Sequence, residues 1–488
     1  MKKLKIISGL LVIITAVLFI VSCAVNPVTG KRQLMLMSED QEVQLGISYD
    51  PQVLATFGVY DNASLAKFVQ TEGEQLGKVS HRPNLTYHFK VLDSPVVNAF
   101  AVPGGFVYVT RGILAQLNSE AELAGVLGHE IGHIAARHTA SQQTKQTLGQ
   151  LVLIGGMIAS EKLAQYADYA MQGMQLLFLK FSRDDEREAD RLGTMYSSLT
   201  GYDAHQMAEF FKVLYKMNLS QSEGGVPTFL STHPDPGDRY NYVNIRAKAW
   251  QDSLKLPSYK INHDEYLKLI DGIVYGEDPR QGYVEGTTFY HPEMKFKFTY
   301  PTSWQFENSP MQVSMAPSDG NALILFTLSP QKTLKAAADT ALRQFGLTAV
   351  SSKDLTVNML PAMAVVSTQT TQDQNTGATS TNQILSYFIS YGSNIYVFHG
   401  VAAQANFATY STAFESTMNS FAKLTDAARI NVTPNRINVK AVPSSGTVSQ
   451  ALTALGVKQD KLAEIALLNN LELTDKIAAG KLVKIVGK

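Results

Sequence analysis

The 488-residue chain is poor in cysteine and has no net charge. Its only cysteine is Cys23, and a single thiol cannot form an internal disulfide. The 42 basic and 42 acidic side chains cancel, and nothing in this balance points to a nucleic-acid partner. Long apolar runs are also absent beyond residue 22. The longest stretch, residues 148–159, is too short to span a bilayer.

The first 22 residues have the composition of a secretory signal. Three lysines at positions 2, 3 and 5 precede an apolar run over residues 6–21, and Ser22 and Cys23 follow. Since Cys23 would be the first residue after cleavage, the segment is similar to a bacterial lipobox. We therefore expect a signal peptide over residues 1–22 and lipidation of Cys23. The alternative is an uncleaved N-terminal anchor helix.

The chain is longer than a domain that folds around a single hydrophobic core, so we predict several domains. The patterns predict an α+β multidomain protein. A mostly helical domain with an N-terminal tether covers residues 23–275, an α+β domain of unknown role covers 276–425, and a βααβ module covers 426–488. The predicted helices are 64–80, 119–144, 239–251, 333–345 and 407–424. The predicted strands are 87–92, 106–110, 295–300, 322–328, 363–368, 384–391, 395–399, 437–442 and 482–486.

The most informative motif is the HExxH sequence formed by residues 129–133. His129 and His133 are four residues apart, so on a helix their imidazoles share one face and reach one metal ion. Glu130 then lies beside that ion, where it can act as the general base. This spacing predicts one catalytic Zn²⁺ per chain, and a catalytic zinc site needs a third protein ligand.

Residues 182–190, SRDDEREAD, contain candidates for the third ligand. Glu186 and Asp190 lie on one helix face, so one carboxylate can bind the metal while the other accepts a hydrogen bond from a ligand histidine. Asp184 and Glu188 are alternative ligands on other faces of the helix. A charged stretch of this kind, taken alone, is typical of a solvated helix surface.

Three further features surround the HExxH motif. Asn98, Ala99 and Ala101 belong to a predicted edge strand that can bind an extended peptide through main-chain hydrogen bonds. His233 can stabilise a tetrahedral intermediate or fill the fourth metal position, although a lone loop histidine more often has neither role. The metzincin pattern places a third histidine ligand six residues after the second, but that position is Thr139 here. We therefore expect His138 to pack or hydrogen-bond near the helix end.

Together these segments resemble the HtpX/BepA-like zinc metallopeptidases, a family that also includes the CAAX prenyl protease. The matching segments are NPVTGKRQL (26–34), NAFAVPGG (98–105), HEIGH (129–133), SRDDEREAD (182–190) and THPDPGDR (232–239). The resemblance implies a zincin-like fold with Glu186 as the third zinc ligand and Asp190 as its hydrogen-bonded neighbour. It also implies that His233 lies near the zinc, where in some relatives it holds the enzyme inactive.

The resemblance implies a zinc metalloendopeptidase of the bacterial cell envelope that cleaves misfolded or misassembled envelope proteins. Glu130 would be the catalytic base, while His233, and less directly Arg239, would stabilise the oxyanion. Ala24 after Cys23 would favour the periplasmic face of the outer membrane, with the membrane contacted through the N-terminal lipid. The alternative is a chaperone-like or peptidoglycan-associated scaffold with a mostly latent protease site.

The C-terminal segment resembles a LysM-type module. The resemblance rests on residues 463–470 (AEIALLNN) and 479–485 (AGKLVKI), while the usual Asp-Thr-Leu opening is replaced by Gly446, Thr447 and Val448. It implies a role in contacting peptidoglycan, and a structural or protein-docking role fits the sequence equally well.

Overall fold

A computed structural model describes most of the chain. The described residues are 23–35, 37–142, 181–220, 228–233, 238–372 and 379–488. The predicted signal peptide and the apolar stretch 148–159 lie outside these ranges. No helix within them combines the length and hydrophobicity needed to cross a membrane.

The N-terminal unit (residues 23–275) is mainly helical, and its described residues also form a two-stranded sheet and a larger, three-stranded sheet. Its elements in chain order are β1 (Cys23–Val25), β2 (Arg32–Leu34), α1 (Glu39–Phe57), α2 (Ala63–Lys78), β3 (His88–Leu92), β4 (Ala99–Val102), β5 (Phe106–Thr110), α3 (Arg111–Gln116), α4 (Glu120–Ala135), α5 (Arg183–Leu199), α6 (His205–Ser220), α7 (Thr228–Thr232), α8 (Arg239–Leu254) and α9 (His263–Ile270).

The three-stranded sheet of this unit has the strand order β3-β5-β4, with β3 parallel and β4 antiparallel to β5. Strand β4 is therefore at the edge of the described sheet, and it lies against α4. The sheet and the faces of α2 and α4 bury a common apolar core. This packing fixes α4, the helix that carries the HExxH motif, next to an edge strand.

Helix α4 begins as the sequence predicts but ends earlier. Ser119 caps its first turn by accepting a hydrogen bond from the amide of Glu122, while the Glu122 carboxylate accepts from the amide of Asn118. The predicted continuous helix 119–144 is wrong, because the helix ends at Ala135. Arg137 then adopts a left-handed conformation with φ of 60°, and the chain turns before residues 138–142 become helical again.

Helices α4 and α5 approach each other closely through small residues. A Cβ atom added to Gly193 would lie 2.8 Å from the amide nitrogen of His129, and one added to Gly128 would lie 3.1 Å from the Cα of Gly193. A side chain at Gly193 would therefore clash and one at Gly128 would be tightly packed, so the two backbones lie very close together. The glycines thus bring the histidines of α4 within reach of the carboxylates of α5.

The central unit (residues 283–424) is an α+β unit with its own aromatic core. Its elements, with the short helix that follows, are β6 (Tyr283–Glu285), β7 (Thr288–His291), β8 (Phe296–Thr299), β9 (Gln305–Asn308), β10 (Gln312–Ala316), β11 (Ala322–Ser329), α10 (Leu334–Gln344), β12 (Thr348–Val357), β13 (Leu360–Gln372), β14 (Thr379–Tyr391), β15 (Asn394–Ala403), α11 (Phe407–Asn419), β16 (Ala422–Lys423) and α12 (Ala427–Ile430).

Two antiparallel sheets form the central unit, in the orders β12-β13-β14-β15-β11-β10-β9 and β16-β8-β7-β6. The predicted strands and helices are present, but the helix expected over 407–424 ends at Asn419, and its last residues form β16 instead. Strands β6, β7, β9, β10 and β12 were not predicted. In β12 most side chains are exposed, so the chain there lacks the apolar alternation by which a strand is recognised.

In the C-terminal unit (residues 435–488), two helices lie between the two predicted strands, and two short strands that were not predicted flank the helices. It contains β17 (Arg436–Ala441), β18 (Gly446–Thr447), α13 (Val448–Ala454), α14 (Leu462–Leu468), β19 (Lys476–Ile477) and β20 (Leu482–Gly487), and β17 pairs with β20 in antiparallel fashion. Its apolar residues share one continuous core with the N-terminal unit. The C-terminal unit is therefore packed onto the N-terminal unit, even though the central unit separates the two in sequence.

Candidate metal centre

Helix α4 buries the complete HExxH motif. His129, Glu130 and His133 have no exposed surface. They lie in the second half of the helix, where their backbone amides bond within the helix and their side chains face α5 and residue 233. The burial removes water from around three polar groups, which is costly unless they bind something in its place.

Helix α5 supplies the facing carboxylates. Its N-terminus is fixed by a capping box between Ser182 and Asp185. One turn further along, Glu186 and Asp190 are completely buried and point toward α4. Of the two alternative ligands, Asp184 is exposed and Glu188 contacts His138 and Arg191 instead of the histidine pair.

His233 lies directly after α7, and its ring reaches the same cluster. It stacks on Phe229, with ring centroids 4.6 Å apart, and its amide donates a hydrogen bond to the Phe229 carbonyl over 2.8 Å. Its Nδ1 atom is 3.0 Å from Glu186 Oε1, and its Nε2 atom is 3.6 Å from Glu130 Oε1. The histidine is thus held between the third ligand candidate and the candidate base.

The nitrogen and oxygen atoms of His129, His133, Glu186 and His233 fit a metal ion. One such atom from each residue lies within 4.8 Å of the others. The closest approaches between the side chains are 3.1 Å for His129–His133, 3.2 Å for His129–His233, 3.4 Å for His133–Glu186 and 3.0 Å for His233–Glu186. A tetrahedral zinc ion with bonds of about 2.0–2.1 Å requires donor atoms about 3.3–3.4 Å apart.

Unsatisfied polar atoms at the same place support this fit. Both carboxylate oxygens of Glu130, Glu186 Oε2 and His233 Nε2 are buried without a hydrogen-bond partner among the described residues. Buried polar atoms without partners are uncommon in folded proteins and often mark a missing ion or water. Two of these residues belong to the donor cluster, and Glu130 borders it, so the cluster can accept a cation and a polar substrate group.

Asp190 orients one of the histidines. Its Oδ1 atom is 2.9 Å from Nδ1 of His129, which leaves the Nε2 atom of that ring directed into the donor cluster. Arg239, at the start of α8, donates two hydrogen bonds to Asp190 over 2.9 and 2.6 Å. It also donates to the carbonyl of His233 and lies over the ring of Phe211. The described contacts of Arg239 therefore hold Asp190 and the His233 loop in place, and its predicted oxyanion role stays a prediction.

Burial and neighbouring charges shift the acidities in the cluster. Burial raises the pKa of Glu130, and the charges of His233 and His129 partly offset this. Burial would also raise the pKa of Asp190, but the Arg239 guanidinium and the bond from His129 lower it overall. Burial lowers the pKa of His133 well below its usual value. Asp190 thus remains ionised, while Glu130 gains basicity, as a general base requires.

The other predicted site residues lie on two neighbouring segments. Asn98 is buried just before β4, and Ala99 and Ala101 are buried within it, paired with β5. The carbonyl of Val97 accepts a hydrogen bond from the amide of Phe229, so the segment before His233 lies beside the start of the edge strand. Peptide binding along β4 stays a prediction.

Cys23 lies in β1, where its backbone pairs with Leu34. Soon after it, the side chain of Asn26 donates a hydrogen bond to the carbonyl of Ala136 at the end of α4. The chain next to the predicted lipidation site therefore contacts the helix of the HExxH motif. The lipidation itself stays a prediction.

The sequence patterns did not reveal one residue that shapes the site, and they placed a second, His138, near the end of the helix without identifying its partner. Gly193 sets the separation of α4 and α5, and His138 lies 3.0 Å from His133. The sequence signal for Gly193 is a glycine inside a helical pattern, which often marks a close approach of two backbones. No local pattern predicts the second contact, because it depends on the left-handed turn at Arg137.

Comparisons with known proteins agree with this geometry. Residues 63–247 match the model of peptidase family M48. The beta-barrel assembly-enhancing protease of Yersinia pestis is 30% identical over 219 residues, which are 43% of this chain and 45% of that protein. The mitochondrial metalloendopeptidase OMA1 of Arabidopsis thaliana is 29% identical over 231 residues, 46% of this chain and 43% of that protein.

The OMA1 protein of Schizosaccharomyces pombe is 28% identical over 248 residues, covering 50% of this chain and 72% of that protein. The chain thus spans about half the length of the first relatives it matches. A solution structure of cyanobacterial PsbP from Synechocystis sp. PCC 6803 has a TM-score of 0.23 at 11% identity, over 29% of this chain and 94% of that one. That likeness is too weak to support an argument.

The family match covers α4 and α5 and extends into α8, and these helices contribute the HExxH histidines, the facing carboxylates and Arg239. Residues 63–247 therefore match peptidase family M48, and this part of the chain is similar to the HtpX/BepA-like zinc metallopeptidases.

Proposed function

We propose that the protein is a zinc-dependent endopeptidase that cleaves misfolded or misassembled proteins of the bacterial envelope. The observation that carries the proposal is the buried cluster of His129, His133, Glu186 and His233 donor atoms, with the unpartnered carboxylate of Glu130 beside it.

His129, His133 and Glu186 would hold the ion. When bound, zinc supplies Lewis acidity that lowers the pKa of water toward about 7 and polarises a peptide carbonyl. Glu130 accepts the proton of the attacking water and then delivers it to the leaving amine. Asp190 keeps the His129 ring in position. Arg239 in turn holds Asp190 through its two hydrogen bonds.

Substrates would bind in extended form along β4, the edge of the described sheet, beside α4. This mode selects chain segments that have lost or not yet formed their own structure, because only those offer free main-chain groups. The proposal of envelope proteins as substrates is supported by the names of the bacterial relatives, which are assembly-enhancing proteases.

The decisive variant is Glu130→Gln, compared with Glu74→Gln on the exposed face of α2. We expect the Glu130→Gln protein to keep its zinc content and to lose cleavage of casein by about 10²–10⁴-fold, because the amide cannot accept the proton. The Glu74→Gln protein should match wild type in both. Unchanged proteolysis by the Glu130→Gln protein would refute the assignment.

A latent form of the enzyme is a second candidate, supported by the 3.2 Å separation of His233 Nδ1 and His129 Nε2. At this distance His233 would fill the fourth ligand position that a catalytic site keeps for water. In that case His233→Ala should raise the cleavage of casein. If His233 instead stabilises the oxyanion, the same variant should lower cleavage, so the sign of the change separates the two roles.

The location at the periplasmic face of the outer membrane depends on Cys23. Metabolic labelling with palmitate in the native host should label the wild-type protein and leave the Cys23→Ser protein unlabelled and released from the membrane. Equal labelling of both would remove the lipoprotein assignment.

The LysM-like assignment of the C-terminal unit is supported by its βααβ order, while its packing on the N-terminal unit equally suits a structural role. Sedimentation of the full chain with purified peptidoglycan distinguishes the two. Binding favours the LysM assignment, and absence of binding leaves the structural role.

A further inference from the structure

A left-handed turn after α4 brings a further histidine under the metal cluster. Arg137 has φ of 60°, which is a costly conformation for a residue other than glycine. Its guanidinium compensates by donating to the carbonyl of Met37 over 2.8 Å and by pairing with Glu42 at 3.2 Å. The helix is interrupted for two residues, and the ring of His138 lies against His133.

His138 contacts His133 on one side of its ring and two carboxylates on the other. Its Nδ1 atom is 3.0 Å from Nδ1 of His133, and its side chain is 6% exposed. On the opposite side of the ring, Nε2 is 3.4 Å from Glu188 Oε2 and 3.6 Å from Asp185 Oδ1. The ring of Phe181 stacks on His133 at 4.0 Å and also borders His138, so both imidazoles are confined.

The position of the hydrogen atoms follows from these distances. The Nε2 atom of His133 lies in the donor cluster, 3.1 Å from His129 Nε2, so it must offer its lone pair to bind a metal. The hydrogen of the neutral His133 ring is then on Nδ1. Two ring nitrogens 3.0 Å apart share only one hydrogen, so Nδ1 of His138 is the acceptor, and its own hydrogen on Nε2 faces Glu188.

We propose that His138 is a positioning residue for the metal site, which fixes the tautomer and ring orientation of His133. The proposal rests on the proposed role of His133 as a metal ligand. It gives the site two different supports, because His129 is oriented by the Asp190 carboxylate and His133 by a neutral imidazole backed by Glu188. Loss of such a hydrogen-bond partner weakens metal binding about 10–100-fold in related arrangements.

The test compares His138→Leu with His138→Asn in the full-length chain. Leucine has a side chain of similar bulk but offers no hydrogen-bond acceptor to His133. The amide oxygen of asparagine, in contrast, lies close to the position of Nδ1 in histidine and can accept the bond. His263→Leu is the matched control, since His263 pairs with Asp264 and is not among the described contacts of the cluster. Zinc affinity is measured by competition with a chromophoric chelator, and the visible spectrum is recorded after substitution with Co²⁺.

We expect His138→Leu to weaken zinc binding about 10–100-fold and to change the cobalt spectrum. We expect His138→Asn to recover most of the affinity and the wild-type spectrum, and His263→Leu to match wild type. A mere packing role would leave asparagine no better than leucine. That result, or a His138→Leu protein that binds zinc as tightly as wild type, would overturn the proposal.

Two measurements keep this test separate from the proposed function. If the wild-type chain binds no zinc, the proposed function fails. If the wild-type chain binds zinc and the His138 variants bind it equally well, only the positioning role fails. Should His138→Leu not fold, Glu188→Gln replaces it. This substitution leaves the contact between the two imidazole rings intact and weakens the contact between His138 Nε2 and the side chain of residue 188. A smaller loss of zinc affinity is then expected, and an unchanged affinity contradicts the proposal.

Discussion

At the scale of single residues, the metal cluster depends on support by residues that are not ligands. Asp190 carries a buried negative charge that is offset by the two hydrogen bonds from Arg239. The family resemblance implied that Glu186 and Asp190 lie near the HExxH histidines, and sequence spacing placed each pair on one face of its helix. It did not predict that the Arg239 guanidinium would bind Asp190, since 49 residues separate them in the chain.

Replacing Arg239 by methionine should destabilise the protein by about 3–5 kcal/mol, because Asp190 would keep a buried charge without a cation. Chemical denaturation of the metal-free protein measures the loss. The control is Arg191→Met on α5, the helix of Asp190, where the partly exposed pair with Glu188 contributes at most about 1 kcal/mol. Equal effects of the two substitutions would contradict the role assigned to Arg239.

At the scale of helices and strands, the site is defined by the contact of α4 with α5. The start of α4 at Ser119 was predicted from the sequence, because capping involves only the next three residues. The end of α4 was not predicted, because the turn at Arg137 is stabilised by Met37 and Glu42 from a distant part of the chain. Local signals therefore predicted where α4 begins and missed where tertiary contacts end it.

The substitution Gly193→Ala tests the close approach of these helices. Elsewhere in a helix this change stabilises by about 1 kcal/mol, because alanine has the better helix propensity. Here the added Cβ would lie 2.8 Å from the amide nitrogen of His129, so we expect a loss of about 1–3 kcal/mol in unfolding free energy together with weaker zinc binding.

The matched substitution in α5 is Arg183→Ala, at the exposed start of the helix. It should change the unfolding free energy by less than about 1 kcal/mol and leave zinc binding intact. A stabilised Gly193→Ala protein would show that the two backbones are further apart than the structure has them.

At the scale of the whole molecule, the C-terminal unit completes the N-terminal unit. The backbone of Gly272, Ile273 and Tyr275 pairs with that of Asn435 and Ile437, so the chain enters and leaves the central unit at neighbouring points. This arrangement brings the last strand onto the N-terminal unit. Sequence could show the βααβ order of the tail but not its docking, because the contacts join residues more than 360 positions apart.

Lys484 in β20 is the main polar contact of this docking. Its ammonium group is completely buried and donates to the carbonyls of Ala115, Gln116 and Leu117 over 2.8, 3.0 and 2.9 Å, just before α4. All three of its hydrogens are used. Burial lowers its pKa, which the carboxylate of Glu122 in the first turn of α4 counteracts. A single side chain thus links the tail to the start of the helix that carries the HExxH motif.

Lys484→Met should lower the unfolding free energy by about 3 kcal/mol, because three buried carbonyls lose their donor. Lys481→Met, at an exposed position just before the same strand, should have almost no effect. Because the tail shares a core with the N-terminal unit, the loss should appear in the unfolding of both, as followed by amide hydrogen exchange. Faster exchange confined to residues 435–488 would show that the tail is an independent module.

The central claim is that one zinc ion is held by His129, His133 and Glu186. Its most direct test is anomalous diffraction from crystals of the full chain, recorded on both sides of the zinc absorption edge. We predict one peak within about 2.0–2.2 Å of a ring nitrogen of each histidine and of a carboxylate oxygen of Glu186. A zinc-loaded crystal without a peak at these three side chains would contradict the account.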